Sequence, residues 1–159
     1  MQAPLSPQLR NLCLGKTSIT DRALAKLQPL KKLEWVDLAF TPITDQGLIQ
    51  LQGATKLKQL FLEQTRISDQ GLQAIGGFGD LEELDLSSCA ISDDGLKQLT
   101  TLKKLRKLHL TNCPITDEGL RHLQELKRLD TLELTGTRVT PDGEAVLRLQ
   151  KALPAWKRN

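Results

Sequence analysis

The sequence predicts an α/β solenoid: six equivalent strand–turn–helix units, stacked as a right-handed horseshoe segment. The parallel sheet takes the concave side and short helices the convex side. Three observations predict it. A common line restarts at Leu9, Leu33, Leu57, Leu81, Leu105 and Leu129, each 24 residues after the last, with no insertion or deletion. Within each line the apolar spacing switches from two residues to about three, as it does on passing from strand to helix. The composition agrees: 39 % of the 159 residues are apolar but only 3 % are aromatic, with no Tyr. A core made almost wholly of leucine suits a repeated packing unit.

The shared line is Leu-x-x-Leu-x-Leu-x-x-(Thr/Cys)-x-Ile-(Thr/Ser)-Asp-x-Gly-Leu-x-x-Leu, and residues 81–104, LEELDLSSCAISDDGLKQLTTLKK, carry it in full. Leu84 and Leu86, two apart, share one face of a strand. Leu96, Leu99 and Leu102 recur at three-residue steps, as one face of a short helix does. One such leucine-rich repeat cannot bury its apolar face alone, so neighbours stack and share a continuous core. The expected organisation is a short segment over 1–8, six repeats over 9–152, and a cap end and tail over 153–159.

The Thr/Ser-Asp pair marks each helix start. Repeat six reads Val139-Thr-Pro-Asp-Gly143, and Pro is favoured at the first helical position. That makes Thr140 the expected N-cap, and by register Thr20, Thr44, Ser68, Ser92 and Thr116 as well. Asp21, Asp45, Asp69, Asp93 and Asp117 then fall in first turns, at the positive end of the helix dipole. The small residues that follow (Ala23, then Gly47, Gly71, Gly95, Gly119 and Gly143) predict close approach of a neighbouring backbone. The basic pairs Lys31-Lys32, Lys103-Lys104 and Lys127-Arg128 suit helix C-termini. Together these predict one acidic and one basic rim.

Segments such as T-P-I-T-D-Q-G-L (residues 41–48) and C-P-I-T-D-E-G-L (residues 113–120) resemble the cysteine-containing leucine-rich repeats of F-box substrate receptors. Those repeats are usually about two residues longer. The strict 24-residue period and frequent Thr resemble more closely the bacterial repeats abundant in planctomycetes and seen as the GALA repeats of plant-pathogen effectors. The ending Leu149-Gln-Lys-Ala-Leu-Pro154 is also similar to the ends of such bacterial proteins. The resemblance implies this fold and protein binding, and no catalytic residues within the repeats. The sequence contains no F-box-like segment, which leaves a ligase role without sequence support.

Composition narrows the function classes. A net charge of +3, from 22 basic and 19 acidic residues, makes no case for nucleic acid. No apolar run approaches the ~20 residues of a membrane span, and the first residues lack a signal-peptide layout; a cytoplasmic location is expected. Cys13, Cys89 and Cys113 are too few and too spread for a disulfide framework or a zinc site. Cys89 and Cys113 fall at the turn, where their side chains serve buried backbone as free thiols. No cofactor motif is present.

Function is therefore sought on the strand positions that face away from the core. The central outward position reads Cys13, Asp37, Phe61, Asp85, His109 and Glu133. Two residues earlier it reads Asn11, Trp35, Gln59, Glu83, Lys107 and Thr131; two later, Gly15, Ala39, Glu63, Ser87, Thr111 and Thr135. Trp35 and Phe61 face outward on neighbouring strands, and rings on a rigid sheet are typical anchors of a binding hot spot. Their alternative role is to cover each other or a terminal surface. Phe40 is placed on the rim, Phe78 on a helix facing the core and Trp156 in the C-terminal cap. Asp37, Glu63, Glu82, Glu83 and Asp85 cluster beside the two rings; all of these but Glu82, with Lys107 and His109, complete the candidate partner site of eight residues. Such a patch suits a partner with a basic, apolar-bearing segment. Asp85, His109 and Glu133, one above another on adjacent strands, are the single candidate for a metal or general-base row. An open sheet offers that row no enclosed pocket, so no enzyme is expected. Recognition within an effector or ligase-like assembly is the other binding alternative. Eight residues before Leu9 are too few for a capping helix, so the first strand is expected to permit weak self-association, or else to follow a lost upstream domain.

Overall fold

The computed structural model describes residues 6–156; expectations for residues 1–5 and 157–159 lie outside them. Six three-residue strands, β1 (Asn11–Cys13), β2 (Trp35–Asp37), β3 (Gln59–Phe61), β4 (Glu83–Asp85), β5 (Lys107–His109) and β6 (Thr131–Glu133), form one sheet in chain order. All pairs are parallel, and partners are 24 residues apart throughout: Trp35 beside Gln59, Asp37 beside Phe61, Asp85 beside His109. Helices alternate with the strands: α1 (Asp21–Leu24), α2 (Asp45–Ile49), α3 (Leu72–Ile75), α4 (Asp93–Leu96), α5 (Asp117–Leu123) and α6 (Glu144–Ala152). The chain is a leucine-rich-repeat solenoid, as the 24-residue line predicts.

The core is a set of columns. Val36, Leu60, Leu84 and Leu108 are fully buried between strands and helices, and so are the leucines opening repeats two to six. Phe78 is buried too, but it lies beyond α3, on the way to β4, and not on the helix. Its column is otherwise Leu30, Ala54, Leu102 and Leu126, all buried. The helix stops at Ile75 because the Gly76-Gly77 pair after it weakens helix continuation.

The caps divide into two groups. Thr44, Ser92 and Thr116 are extended and accept a hydrogen bond from the amide two residues on. Thr20 has the backbone but no side-chain bond. Ser68 accepts from the Gln70 amide, yet helix α3 starts only after Gly71. Thr140 is not a helix cap: Pro141 and Asp142 form a turn, and α6 starts at Glu144 behind Gly143. Three residues separate Thr140 from that start, which is out of reach for a capping side chain.

The bonds of five Asp residues to the expected cap positions cross between repeats. Asp21, Asp45, Asp69 and Asp93 each accept from the amide and the hydroxyl of the cap residue 23 positions later. Asp117 accepts from the Thr140 amide. The small-residue position follows from this. A Cβ on Gly47, Gly71, Gly95 or Gly119 would overlap the carboxylate of the preceding repeat's Asp. The expected crowding by neighbouring backbone is thus crowding by a neighbouring side chain.

The turn after each strand also repeats. Lys16, Phe40, Gln64, Ser88, Asn112 and Gly136 all have positive φ, between 51° and 72°. In repeats one to five their amides continue the ladder, as from Phe40 N–H to the Glu63 carbonyl at 2.8 Å. Next to this turn, Thr41 and Thr65 are buried, and each hydroxyl donates to the carbonyl three residues earlier. In repeats four and five Cys89 and Cys113 replace them. The longer reach of sulfur turns each thiol to the preceding repeat, to the Leu62 and Leu86 carbonyls.

The rim preceding the strands carries charges of alternating sign: Arg10, Glu34, Lys58, Glu82, Arg106 and Asp130. Arg10 and Lys58 both bond Glu34, and Arg106 holds Asp130 through two nitrogens. Asp80 is flanked by Lys56 and Lys104, and Lys103 faces Glu125. The rim expected to be basic is therefore of mixed charge, because acids sit between its lysines.

Candidate functional site

The outward columns of the sheet stand as the register predicts, because every strand pair is aligned without a slip. The side chains on them separate into two groups.

The first group surrounds a concavity of about 460 Å³ at the end of the sheet formed by repeats one to four. Trp35 and Phe61, on diagonal positions of β2 and β3, have ring centroids 5.8 Å apart and planes tilted by 51°. This is a favourable aromatic geometry. Both are half-buried, so they partly cover each other and still present ring surface to the concavity. Phe40 joins them. Its left-handed turn carries the ring to the same concavity, so from its place past the strand it also lines the wall. Sequence reasoning left it out, because a strand pattern gives the face of a residue in the strand but not of one in the turn beyond it. Lys16 occupies the equivalent turn of repeat one, with its Nζ 5.5 Å from the Phe40 ring centroid.

Asp37, Glu63 and Asp85 line the same concavity. Asp37 and Asp85 fold back on their own strands, each accepting an amide hydrogen bond two residues on, from Ala39 at 2.9 Å and Ser87 at 2.8 Å. Asp37 also takes a long contact from the Cys13 thiol at 3.5 Å. Gly15 makes room for that carboxylate, since a Cβ there would lie 2.7 Å from Asp37 Oδ2.

The second group is centred on Glu83. Gln59 Nε2 donates to it at 2.6 Å, Lys107 Nζ lies 3.6 Å away, and His109 Nε2 lies 3.9 Å from its other oxygen. The eight candidate residues therefore fall into two neighbouring clusters. Trp35, Asp37, Phe61, Glu63 and Asp85 line the concavity; Glu83, Lys107 and His109 form a polar patch beside it.

The Asp85–His109–Glu133 row does not assemble as a metal or catalytic group. Asp85 is short and its Oδ1 is held by the Ser87 amide, while the longer Glu83 reaches His109 diagonally. Among the described residues no three His, Cys, Asp or Glu side chains converge as metal ligands. The three cysteines are free thiols, Cys13 exposed and the other two buried. Burial pushes the Cys113 thiol up to about 11 and raises Cys89 as well. No helix among the described residues is long and apolar enough to cross a membrane.

Comparison with known proteins bears on the fold. The family described as Leucine Rich repeat matches residues 80–99 and 101–123. A search of curated proteins finds no match. Among solved structures, the chain is similar to an internalin, inlF, of Listeria monocytogenes, with 21 % identity over 94 % of this chain and a TM-score of 0.66. It is also similar to internalin C2 of the same organism, with 22 % identity over 89 % of the chain and a TM-score of 0.63. The chain spans 46 % of the first protein and 67 % of the second. The sheet, the 24-residue register and these likenesses agree on one architecture: the chain folds as a leucine-rich-repeat solenoid.

Proposed function

We propose that this chain is a protein-binding module that engages a partner polypeptide on its concave sheet face, with Trp35 and Phe61 as anchors. One observation carries the reading. Three of the chain's five aromatic rings meet in a single concavity whose other lining includes the charged side chains of Lys16, Asp37, Glu63 and Asp85. Rigid, partly exposed rings surrounded by polar groups are the usual composition of an interface hot spot. The fold alone does not specify function; the reading rests on this site. An open sheet surface, on which no three His, Cys, Asp or Glu side chains converge among the described residues, favours binding over catalysis. The three free thiols suit a reducing, cytoplasmic setting.

Two finer readings belong to the same class. In one the chain is an adaptor by itself; in the other it is the recognition part of an effector or ligase-like assembly whose activity another chain supplies. Both use the same face. Weak self-association through β1 is a separate arm, since β1 pairs only with β2 among the described residues; concentration-dependent light scattering tests it.

The deciding experiment is affinity capture with the wild type and a Trp35→Ala/Phe61→Ala variant, with circular dichroism to verify that both fold. Loss of a captured partner in the variant is expected. A partner retained equally by both sinks the proposed site.

A further inference from the structure

Phe40 has φ +58°. The same turn position carries Lys16, Gln64, Ser88, Asn112 and Gly136, all with positive φ, so the conformation belongs to the repeat. What is particular to repeat two is the residue placed there. Glycine and asparagine meet left-handed geometry with least strain, whereas a bulky ring is an outlier. An outlier of this kind, kept where other repeats use small or flexible residues, points to use of the side chain. The residue stays 40 % exposed and adds a third ring to the wall made by Trp35 and Phe61.

The rings already hold one cation. Lys16 Nζ sits 5.5 Å from the Phe40 centroid, within the ~6 Å range of a cation–π contact. The charge around them is negative: Asp37, Glu63 and Asp85 line the concavity against the single ammonium of Lys16. One oxygen of Asp37 and one of Asp85 are taken by backbone amides. The half-buried Glu63 carboxylate has no hydrogen-bond or ion-pair partner among the described residues. A carboxylate left unpaired in a concavity that three rings also line is the counterpart of a flat cation.

We propose that the concavity is a receptor for an arginine side chain of the partner polypeptide. The guanidinium stacks on the ring wall and bonds Glu63, and Lys16 leaves Phe40 when it enters. This deepens the concave-face reading and rests on it. Arginine fits better than lysine because its planar, weakly hydrated cation both stacks on rings and forks onto a carboxylate. The volume of about 460 Å³ admits a whole side chain.

The test is a titration of acetyl-Gly-Arg-Gly-amide, with its neutral citrulline counterpart as control, into the full chain. It is followed by the two tryptophan indole N–H resonances, those of Trp35 and Trp156. The arginine peptide is expected to move the Trp35 signal in the millimolar range and leave buried Trp156 unmoved; the citrulline peptide is expected to move neither. Glu63→Gln and Phe40→Asn are expected to weaken binding about fivefold each, and Lys16→Gln to tighten it about twofold. Asn already occupies this turn in repeat five at φ +59°, so Phe40→Asn removes the ring and keeps the fold. An unmoved Trp35 signal, or equal shifts from both peptides, overturns the proposal. A captured partner that depends on Trp35 and Phe61 but withstands Glu63→Gln and excess arginine peptide also overturns it, leaving the concave-face reading intact. A partner indifferent to Trp35 and Phe61 defeats that reading instead.

Discussion

The Asp45 carboxylate accepts two hydrogen bonds from Ser68, from the amide at 2.8 Å and from the hydroxyl at 2.6 Å. The same clasp joins Asp21 to Thr44, Asp69 to Ser92 and Asp93 to Thr116. Each one satisfies an amide at the turn into the next repeat's helical segment, and at Thr44, Ser92 and Thr116 it also fixes the hydroxyl that caps the helix. Stability therefore passes from repeat to repeat through side chains as well as through sheet and core, which is the coupling a solenoid depends on.

Gly95→Ala isolates this clasp. In an ordinary helix the change would stabilise by about 1 kcal/mol. Here the new Cβ overlaps the Asp69 carboxylate and pushes it off Ser92. Losing those bonds costs about 1–3 kcal/mol, so the usual gain is cancelled or reversed, with a net destabilisation of up to about 2 kcal/mol expected by urea denaturation. In an Asp69→Ala background the same Gly95→Ala change is expected to become neutral or slightly stabilising. Equal effects in both backgrounds would show that the glycine serves something other than the carboxylate.

The thiols differ in access. Cys89 and Cys113 are buried, donate to carbonyls at 3.1 and 3.2 Å, and have raised pKa values because burial disfavours the thiolate. With Cys113 near 11, its thiolate at pH 8 is about one part in a thousand. A disulfide-exchange reagent such as DTNB is expected to modify only Cys13 in the folded chain, and all three cysteines in guanidinium. Rapid modification of a second thiol without denaturant would contradict the assigned burial.

The alternating rim gives a signed dependence on pH. Hydrogen bonds from Lys58 and then Arg10 hold Glu34 below its ordinary 4.5. Burial pushes Asp130 up, but bonds from Arg106 and Thr131 outweigh it and leave it below 3.8. Depressed carboxylates stabilise above their unfolded values, and that contribution is lost as the pH falls through the folded ones. Glu34 and Asp130 also raise Lys58 and Arg106, chiefly through the same hydrogen bonds, so that side of the effect fails only in strong alkali. A Glu34→Gln/Asp130→Asn variant is expected to melt slightly below the wild type at neutral pH and to converge with it as the pH falls below the ordinary carboxylate range. The gap should also shrink in about 0.5 M salt, because these pairs are exposed and screened. A gap that stays constant from neutral pH into strong acid would mean that the ladder contributes nothing electrostatic.

Legibility from sequence followed how local the determinant was. Register and core were readable because one leucine period governs both, and Leu60 can face only one way once Leu57 and Leu62 are placed. The outward columns came with them. The clasp was not readable, since Asp69 and Ser92 meet only after the repeats stack. His109 was assigned to Asp85 and Glu133 by position, yet side-chain length decided for Glu83. Phe40 was legible as a rim ring but not as a site residue, because its ring direction depends on a left-handed turn that no apolar period encodes. Thr140 was misjudged because Pro141 reads equally as a helix start and as part of a turn.

The Phe78 column holds a volume compensation that can be tested without touching the concave face. Phe78 and Ala54 occupy equivalent positions of neighbouring repeats, each donating its amide to the carbonyl three residues back. Both are buried, in a column otherwise made of leucine. The large ring beside the small methyl keeps the column's volume near that of two leucines, as dense packing requires. Phe78→Leu alone is expected to leave a gap and cost about 1–2 kcal/mol. Ala54→Leu alone is expected to overpack and cost about 1–3 kcal/mol. The double variant restores leucine at both places and is expected to recover at least about 1 kcal/mol of the summed loss. Chemical denaturation of the four proteins measures this coupling directly. Strict additivity would mean that the ring and the methyl are accommodated independently, each by its own repeat.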